Sequence, residues 1–122
     1  LGADGEALLA RLGDFFRDYT PVPSLLHGDL WGGNFAAVEG EPVIYDPAVY
    51  YGDRETDIAM TELFGGFGPE FRAAYAEAWP LDEGYALRRD LYQLYHVLNH
   101  LHLFGGGYLS QARALLGRLL AA

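Results

Sequence analysis

His27-Gly28-Asp29-Leu30-Trp31-Gly32-Gly33-Asn34 is the stretch on which the fold turns, together with Asp46, which follows Asn34 by twelve residues. It sets a carboxylate, a carboxamide and a second carboxylate in fixed order around a glycine-rich loop. Phe35 to Val38 and Pro42 to Tyr45 are short apolar runs joined by Glu39-Gly40-Glu41, the pattern of a β-hairpin. Such a fold-back returns Asp46 to the side of Asn34 and makes neighbours of two groups that are distant in sequence. Glycine, aspartate and asparagine also gather in turns for purely conformational reasons. A plain turn, however, does not require Asp29, Asn34 and Asp46 at these spacings.

Working outward, Leu8, Leu9, Leu12, Phe15, Phe16 and Tyr19 recur at helical spacing with Asp4 as a candidate N-cap, which predicts a helix over about 5–19. Pro21 and Pro23 stop it, and Ser24-Leu25-Leu26 reads as a short buried strand delivering the His27 loop. Beyond the hairpin, Tyr50-Tyr51-Gly52 reads as a loop, and Asp53 caps a helix from about Arg54 to Phe64 that Gly65 and Gly66 end. Pro69 opens the next helix, about 69–79, and Pro80 closes it. The longest helix runs over about 84–104, with Leu87, Leu91, Leu94, Leu98 and Leu101 as its apolar face, until Gly105-Gly106-Gly107 breaks it. Leu109 to Leu120 forms a last amphipathic helix. The expectation is a single domain over 1–122, α+β and mostly α, with a short hairpin in front of a helical body.

The composition narrows the function. At 122 residues the chain is one domain, and 51% hydrophobic residues with a mean hydropathy of +0.01 describe a globular protein. No apolar run is long enough to span a bilayer. A net charge of −9 and a pI near 4.6 argue against nucleic acid or an anionic membrane as partner. There are no cysteines, so disulfides and thiolate metal sites are excluded, and a cytoplasmic location fits. All eight basic residues are arginines.

H-G-D-x-x-x-x-N followed by a lone Asp is close to the kinase pattern H-R-D-x-x-x-x-N followed by D-F-G, with Gly28 in place of Arg and Pro47-Ala48 in place of Phe-Gly. Phosphoryl transfer needs these groups: one carboxylate orients the attacking hydroxyl, while an Asn and a second carboxylate hold Mg²⁺ against the phosphates. Leu26-His27-Gly28-Asp29-Leu30-Trp31, Ile44-Tyr45-Asp46-Pro47-Ala48, Tyr51-Gly52, Leu91-Tyr92-Gln93-Leu94-Tyr95, Asn99-His100 and Phe104-Gly105-Gly106-Gly107-Tyr108 together resemble the fructosamine (ketosamine) kinase family, within the aminoglycoside phosphotransferase and choline kinase-like group. The resemblance runs from about Leu25 to Tyr108. It implies the C-terminal, catalytic lobe of a protein-kinase-like fold, with ATP and Mg²⁺ as cofactors and a glycated amine as substrate. It further implies that Asp29 is the catalytic base and that Asn34 and Asp46 are the metal ligands, with His27 and Asp57 supporting the catalytic loop. Such kinases carry an N-terminal lobe with a phosphate-covering loop and an ATP-positioning lysine, and this chain, which begins at Leu1, holds neither. The expected partners are therefore a small-molecule substrate and either a missing N-terminal lobe or a second copy across the uncovered active-site face.

Other readings stay open on the residues themselves. Asp57 either bonds the catalytic-loop backbone or is an exposed carboxylate favoured by the helix dipole. Trp31 either packs as an apolar anchor or meets substrate. Asn99 and His100 either face the acceptor sugar or hydrogen-bond within the core. His96 and His100, four apart, have zinc-pair spacing but lack the glutamate of H-E-x-x-H and an assigned third ligand. For the whole chain, the alternatives to a ketosamine kinase are an aminoglycoside- or choline-type phosphotransferase lobe and a non-catalytic fragment that keeps the fold.

Overall fold

Pro21 and Pro23 end the N-terminal helical segment, and the chain enters strand β1 (Pro23–Leu26) directly before the His27 loop. Its partner is not a sequence neighbour. β1 pairs antiparallel with β4 (Tyr50–Asp53), Leu25 opposite Tyr51 and Leu26 opposite Tyr50. The expected Tyr50-Tyr51-Gly52 loop is thus a strand. No local turn announces a pairing between such distant segments, and Gly52 masks the β preference of the two tyrosines.

Between these strands lies the predicted hairpin, β2 (Phe35–Val38) with β3 (Glu41–Ile44), Phe35 opposite Ile44 and Val38 opposite Glu41. Glu39 and Gly40 connect them with φ of 53° and 80°. Two consecutive positive φ values are what a tight two-residue hairpin turn demands, so β3 starts at Glu41, one residue before the predicted run. Helix α2 (Glu55–Thr61) follows β4 and is buried along most of its length. Asp53 Oδ1 accepts the Glu55 N–H at 3.0 Å, but the N-cap position falls on Arg54, one residue after the predicted cap, and carries no side-chain capping bond. α2 is shorter than the expected 54–64, because after Thr61 the Glu62 and Leu63 amides bond three residues back and tighten the chain toward Gly65. α3 (Pro69–Ala78) begins at Pro69 as predicted.

The computed structural model describes all 122 residues, and they fall into two compact units. Residues 21–82, just described, form one; residues 1–20 and 83–122 form the other. The second unit contains α1 (Gly2–Arg11), α4 (Tyr85–Phe104) and α5 (Leu109–Ala121). The predicted N-terminal helix divides: after Arg11, where ψ opens to 1°, the chain tightens into a 3₁₀ segment over Leu12–Phe16 that buries Phe15. Asp4 lies inside the first turn of α1 rather than capping it. The Arg11 guanidinium donates to the Leu120 and Ala122 carbonyls, satisfying orphan groups at the end of α5.

The buried face of α4 is rotated from the leucine row. Leu87 and Leu98 are 40% exposed, whereas Arg88, Gln93, Leu94, His96 and Val97 are buried. Polar side chains take those positions because they find partners. Arg88, for example, donates to the Phe15 carbonyl at 3.1 Å and lies over the Tyr19 ring at 3.6 Å. Gly105, at φ 92°, ends α4 as predicted. The chain is α+β and mostly helical, as expected, and no helix is long and apolar enough to cross a membrane.

Candidate active site

The loop leaving β1 is tied down at three points. The His27 and Gly28 amides donate to Asp57 Oδ2 and Oδ1 at 2.8 and 3.0 Å, so one carboxylate at the start of α2 holds two consecutive peptide groups. The His27 carbonyl accepts the Ala48 N–H at 2.7 Å. The third tie is the His27 ring, which is buried: Nε2 donates to the Tyr45 carbonyl at 2.8 Å and Nδ1 accepts the Asp29 N–H at 3.1 Å. A carbonyl only accepts, so these two contacts fix the tautomer. The loop and the end of the hairpin are therefore stitched to each other on both sides of Asp46.

Gly28 explains itself here. Its φ is 87°, and a Cβ would lie 2.0 Å from the Ala48 carbonyl oxygen. The backbone of the 45–48 segment occupies the space that any side chain at position 28 would need. This is a local reason for glycine where the related kinase motif has arginine.

Asn34 ends a short 3₁₀ turn, Gly32–Asn34, and is buried. Its Nδ2 donates both to the Asp29 carbonyl at 2.9 Å and to Asp29 Oδ2 at 3.2 Å. Both partners are acceptors, so the amide nitrogen must face Asp29 and Oδ1 points away from it. No protein donor meets Oδ1, and no buried side-chain oxygen in the structure lacks a partner, so Oδ1 opens to solvent. The Asn34 carbonyl accepts the Tyr45 N–H at 3.0 Å, which puts Asp46 one residue beyond the pair that closes the hairpin. Asp46 is exposed, adopts φ 51°, and its carboxylate has no protein partner. Aspartate tolerates this left-handed backbone better than most residues. Asp29 is half-buried. Asp29 and Asn34 thus meet through side-chain and backbone bonds, and the hairpin brings the backbone back to Asn34 one residue before Asp46.

Trp31 is 41% exposed, and its indole lies across Gly33, where a Cβ would come within 2.3 Å of the ring. It covers one side of the turn and keeps an open face. Asn99 and His100 belong to the other unit. Asn99 is exposed, so core hydrogen bonding does not describe it. His100 Nδ1 bonds the His96 carbonyl at 2.8 Å, and its ring packs against Phe104 and Tyr108. No group of three or more His, Cys, Asp or Glu side chains is arranged to hold a metal, and the His96–His100 pair has no third such ligand. Sequence reasoning passed over the ties that aim the loop, the Tyr45 carbonyl and the Ala48 amide, because backbone groups leave no residue signature.

The model of the fructosamine kinase family matches residues 2–122. A ketoamine kinase of Vibrio parahaemolyticus is 57% identical over 104 residues, which are 85% of this chain and 36% of that protein. The mouse ketosamine-3-kinase is 48% identical over 103 residues, 84% of this chain and 33% of its own length. A crystal structure named as a fructosamine-3-kinase from Thermobifida fusca superposes with a TM-score of 0.89 at 36% identity, covering 98% of this chain and 42% of that one. The chain belongs to the fructosamine kinase family. It spans little more than a third of the length of the curated relatives it matches.

Proposed function

We propose that this chain is the catalytic, C-terminal lobe of an ATP-dependent kinase that phosphorylates a sugar hydroxyl of ketosamines. The observation carrying the proposal is the orientation of Asn34. Its amide nitrogen is committed to Asp29, which leaves Oδ1 free of any protein donor, and the hairpin returns the chain to Asn34 one residue before the exposed Asp46. Mg²⁺ takes oxygen ligands, commonly one or two from protein with the remainder from water and phosphates, and Asn34 Oδ1 with Asp46 fits that set. Bound there with ATP, the ion would supply positive charge against the phosphate oxygens.

The remaining work falls to the chain's own residues. Asp29 orients the acceptor hydroxyl and receives its proton, at an angle set by the Asn34 amide and the His27 tautomer. Asp57 fixes the backbone from which Asp29 projects, so it is a positioning residue. Trp31, with its open indole face, is the candidate for acceptor contacts within this unit. A second lobe would bring the phosphate-covering loop and the lysine. The test is phosphorylation of fructosyl-lysine by the full-length protein with Mg-ATP, and its loss on Asp29→Asn. Turnover of an aminoglycoside or choline with no turnover of ketosamines would overturn the substrate assignment.

A further inference from the structure

We infer that Phe67, in the segment between α2 and α3, is a positioning residue for the metal-facing amide of Asn34, an inference that rests on assigning Asn34 and Asp46 to a divalent cation. Asn34 is buried, and apart from Asp29 no side chain fixes its amide. The direction of Oδ1 is therefore set by those bonds to Asp29 together with the backbone of the Gly32–Asn34 turn, and by whatever holds that turn in place.

Two contacts hold it from one side. Gly66, at φ 94°, brings its backbone so close to Gly32 that a Cβ there would stand 2.8 Å from the Gly32 Cα; one on Gly32 would stand 3.3 Å from the Gly65 oxygen. Backbone meets backbone with no side chain between. Directly after Gly66, the Phe67 ring packs on Phe35 with centroids 4.4 Å apart and planes tilted by 38°. Phe35 is the residue after Asn34, so the turn is gripped at Gly32 before the ligand and at Phe35 after it. This grip is not on a free loop. Phe67 packs on Phe71 at 4.8 Å, Phe71 on Tyr75 at 6.2 Å, and the Tyr75 hydroxyl meets Arg54 at 3.1 Å. A row of rings thus anchors the turn to α3, whose far end is tied to the residue preceding α2. The two glycines let the chain come close enough for Phe67 to reach Phe35.

The experiment is a Mn²⁺ titration of the 122-residue chain, following paramagnetic broadening of the backbone amides of residues 34 and 46 by NMR, on wild type, Asn34→Ala, Phe67→Leu and Phe67→Tyr. Groups that orient a metal ligand typically change affinity by 10- to 100-fold. Phe67→Leu is expected to weaken Mn²⁺ binding about 10-fold, at the low end of that range, and Phe67→Tyr to keep it. A merely apolar filling role would be served by leucine, so the split between the two variants reports ring packing. Wild-type affinity in Phe67→Leu, with Asn34→Ala impaired, overturns the role of Phe67 alone. No broadening at the backbone amides of residues 34 and 46 in the wild type, or none lost there in Asn34→Ala, overturns the metal assignment and this inference with it.

Discussion

At the scale of single residues, the site is a set of polar groups whose directions are fixed by backbone partners. Asp29→Asn keeps an oxygen that can accept from Asn34 Nδ2, and the position is half-buried, so the fold should survive. Positioned proton acceptors are worth about 10²–10⁴-fold, and kcat of the full-length enzyme should fall by that much with an unchanged circular dichroism spectrum. Near-normal turnover would remove Asp29 from the mechanism. Gly28→Ala acts differently. The methyl group meets the Ala48 carbonyl and the residue is forced to stay at positive φ, so the urea midpoint should drop by the equivalent of about 2 kcal/mol or more. Asp57→Ala strands the His27 and Gly28 amides at once, and a loss of about 2–3 kcal/mol is expected from two charge-assisted bonds. Faster amide hydrogen exchange at residues 27 and 28 would locate that loss in the catalytic loop.

At the scale of elements, what could be read from the sequence was whatever local chemistry dictates. The hairpin, the proline start of α3 and the glycine stop of α4 each rest on a residue whose own φ or missing N–H decides the matter. The return of the chain to Asn34 just before Asp46 was legible because the hairpin joining them is itself local. Strand β4 was not legible, since its only reason to exist is a partner across the His27 loop and the hairpin. The buried face of α4 was misread because apolarity alone was counted. Buried Arg88, Gln93 and His96 are tolerated through partners that a sequence does not display. Arg54 is a case of the same kind. It donates to the Tyr75 hydroxyl and to the Trp79 and Pro80 carbonyls, and its guanidinium lies 3.7 Å from the Trp79 ring centre. A lysine cannot reproduce this planar fork, so Arg54→Lys should loosen the end of α3 and cost about 1–2 kcal/mol in urea unfolding. An unchanged midpoint would show that the clamp contributes nothing.

At the scale of the whole molecule, the decisive question is whether 122 residues suffice for catalysis, and the chemistry of the chain says they do not. Phosphoryl transfer on this plan is positioning and charge stabilisation, which require the nucleotide to be held as firmly as the acceptor. On the proposed function the chain supplies a base, Asp29, and two oxygen ligands, Asn34 and Asp46. It has no lysine to grip the α- and β-phosphates and no glycine-rich loop following the kinase pattern to cover them and exclude water. The unit that bears the site also leaves Leu25 and Tyr51, partners in the β1–β4 register, 63% and 73% exposed, and Ile44, beside the hairpin mouth, 62% exposed. On the proposed function, large apolar side chains left open in this way are expected to be covered by a second lobe or a second copy. The 122-residue chain, incubated with Mg-ATP and fructosyl-lysine, is therefore expected to give no turnover above background. The same sequence within a full-length protein should turn over at the ~1–100 s⁻¹ typical of kinases. Sedimentation of the isolated chain tests the exposed face in parallel, with concentration-dependent association as the expected result. Kinase-level turnover by a monomeric 122-residue chain would refute both halves of the argument, because one lobe with an uncovered face would then be a sufficient catalyst.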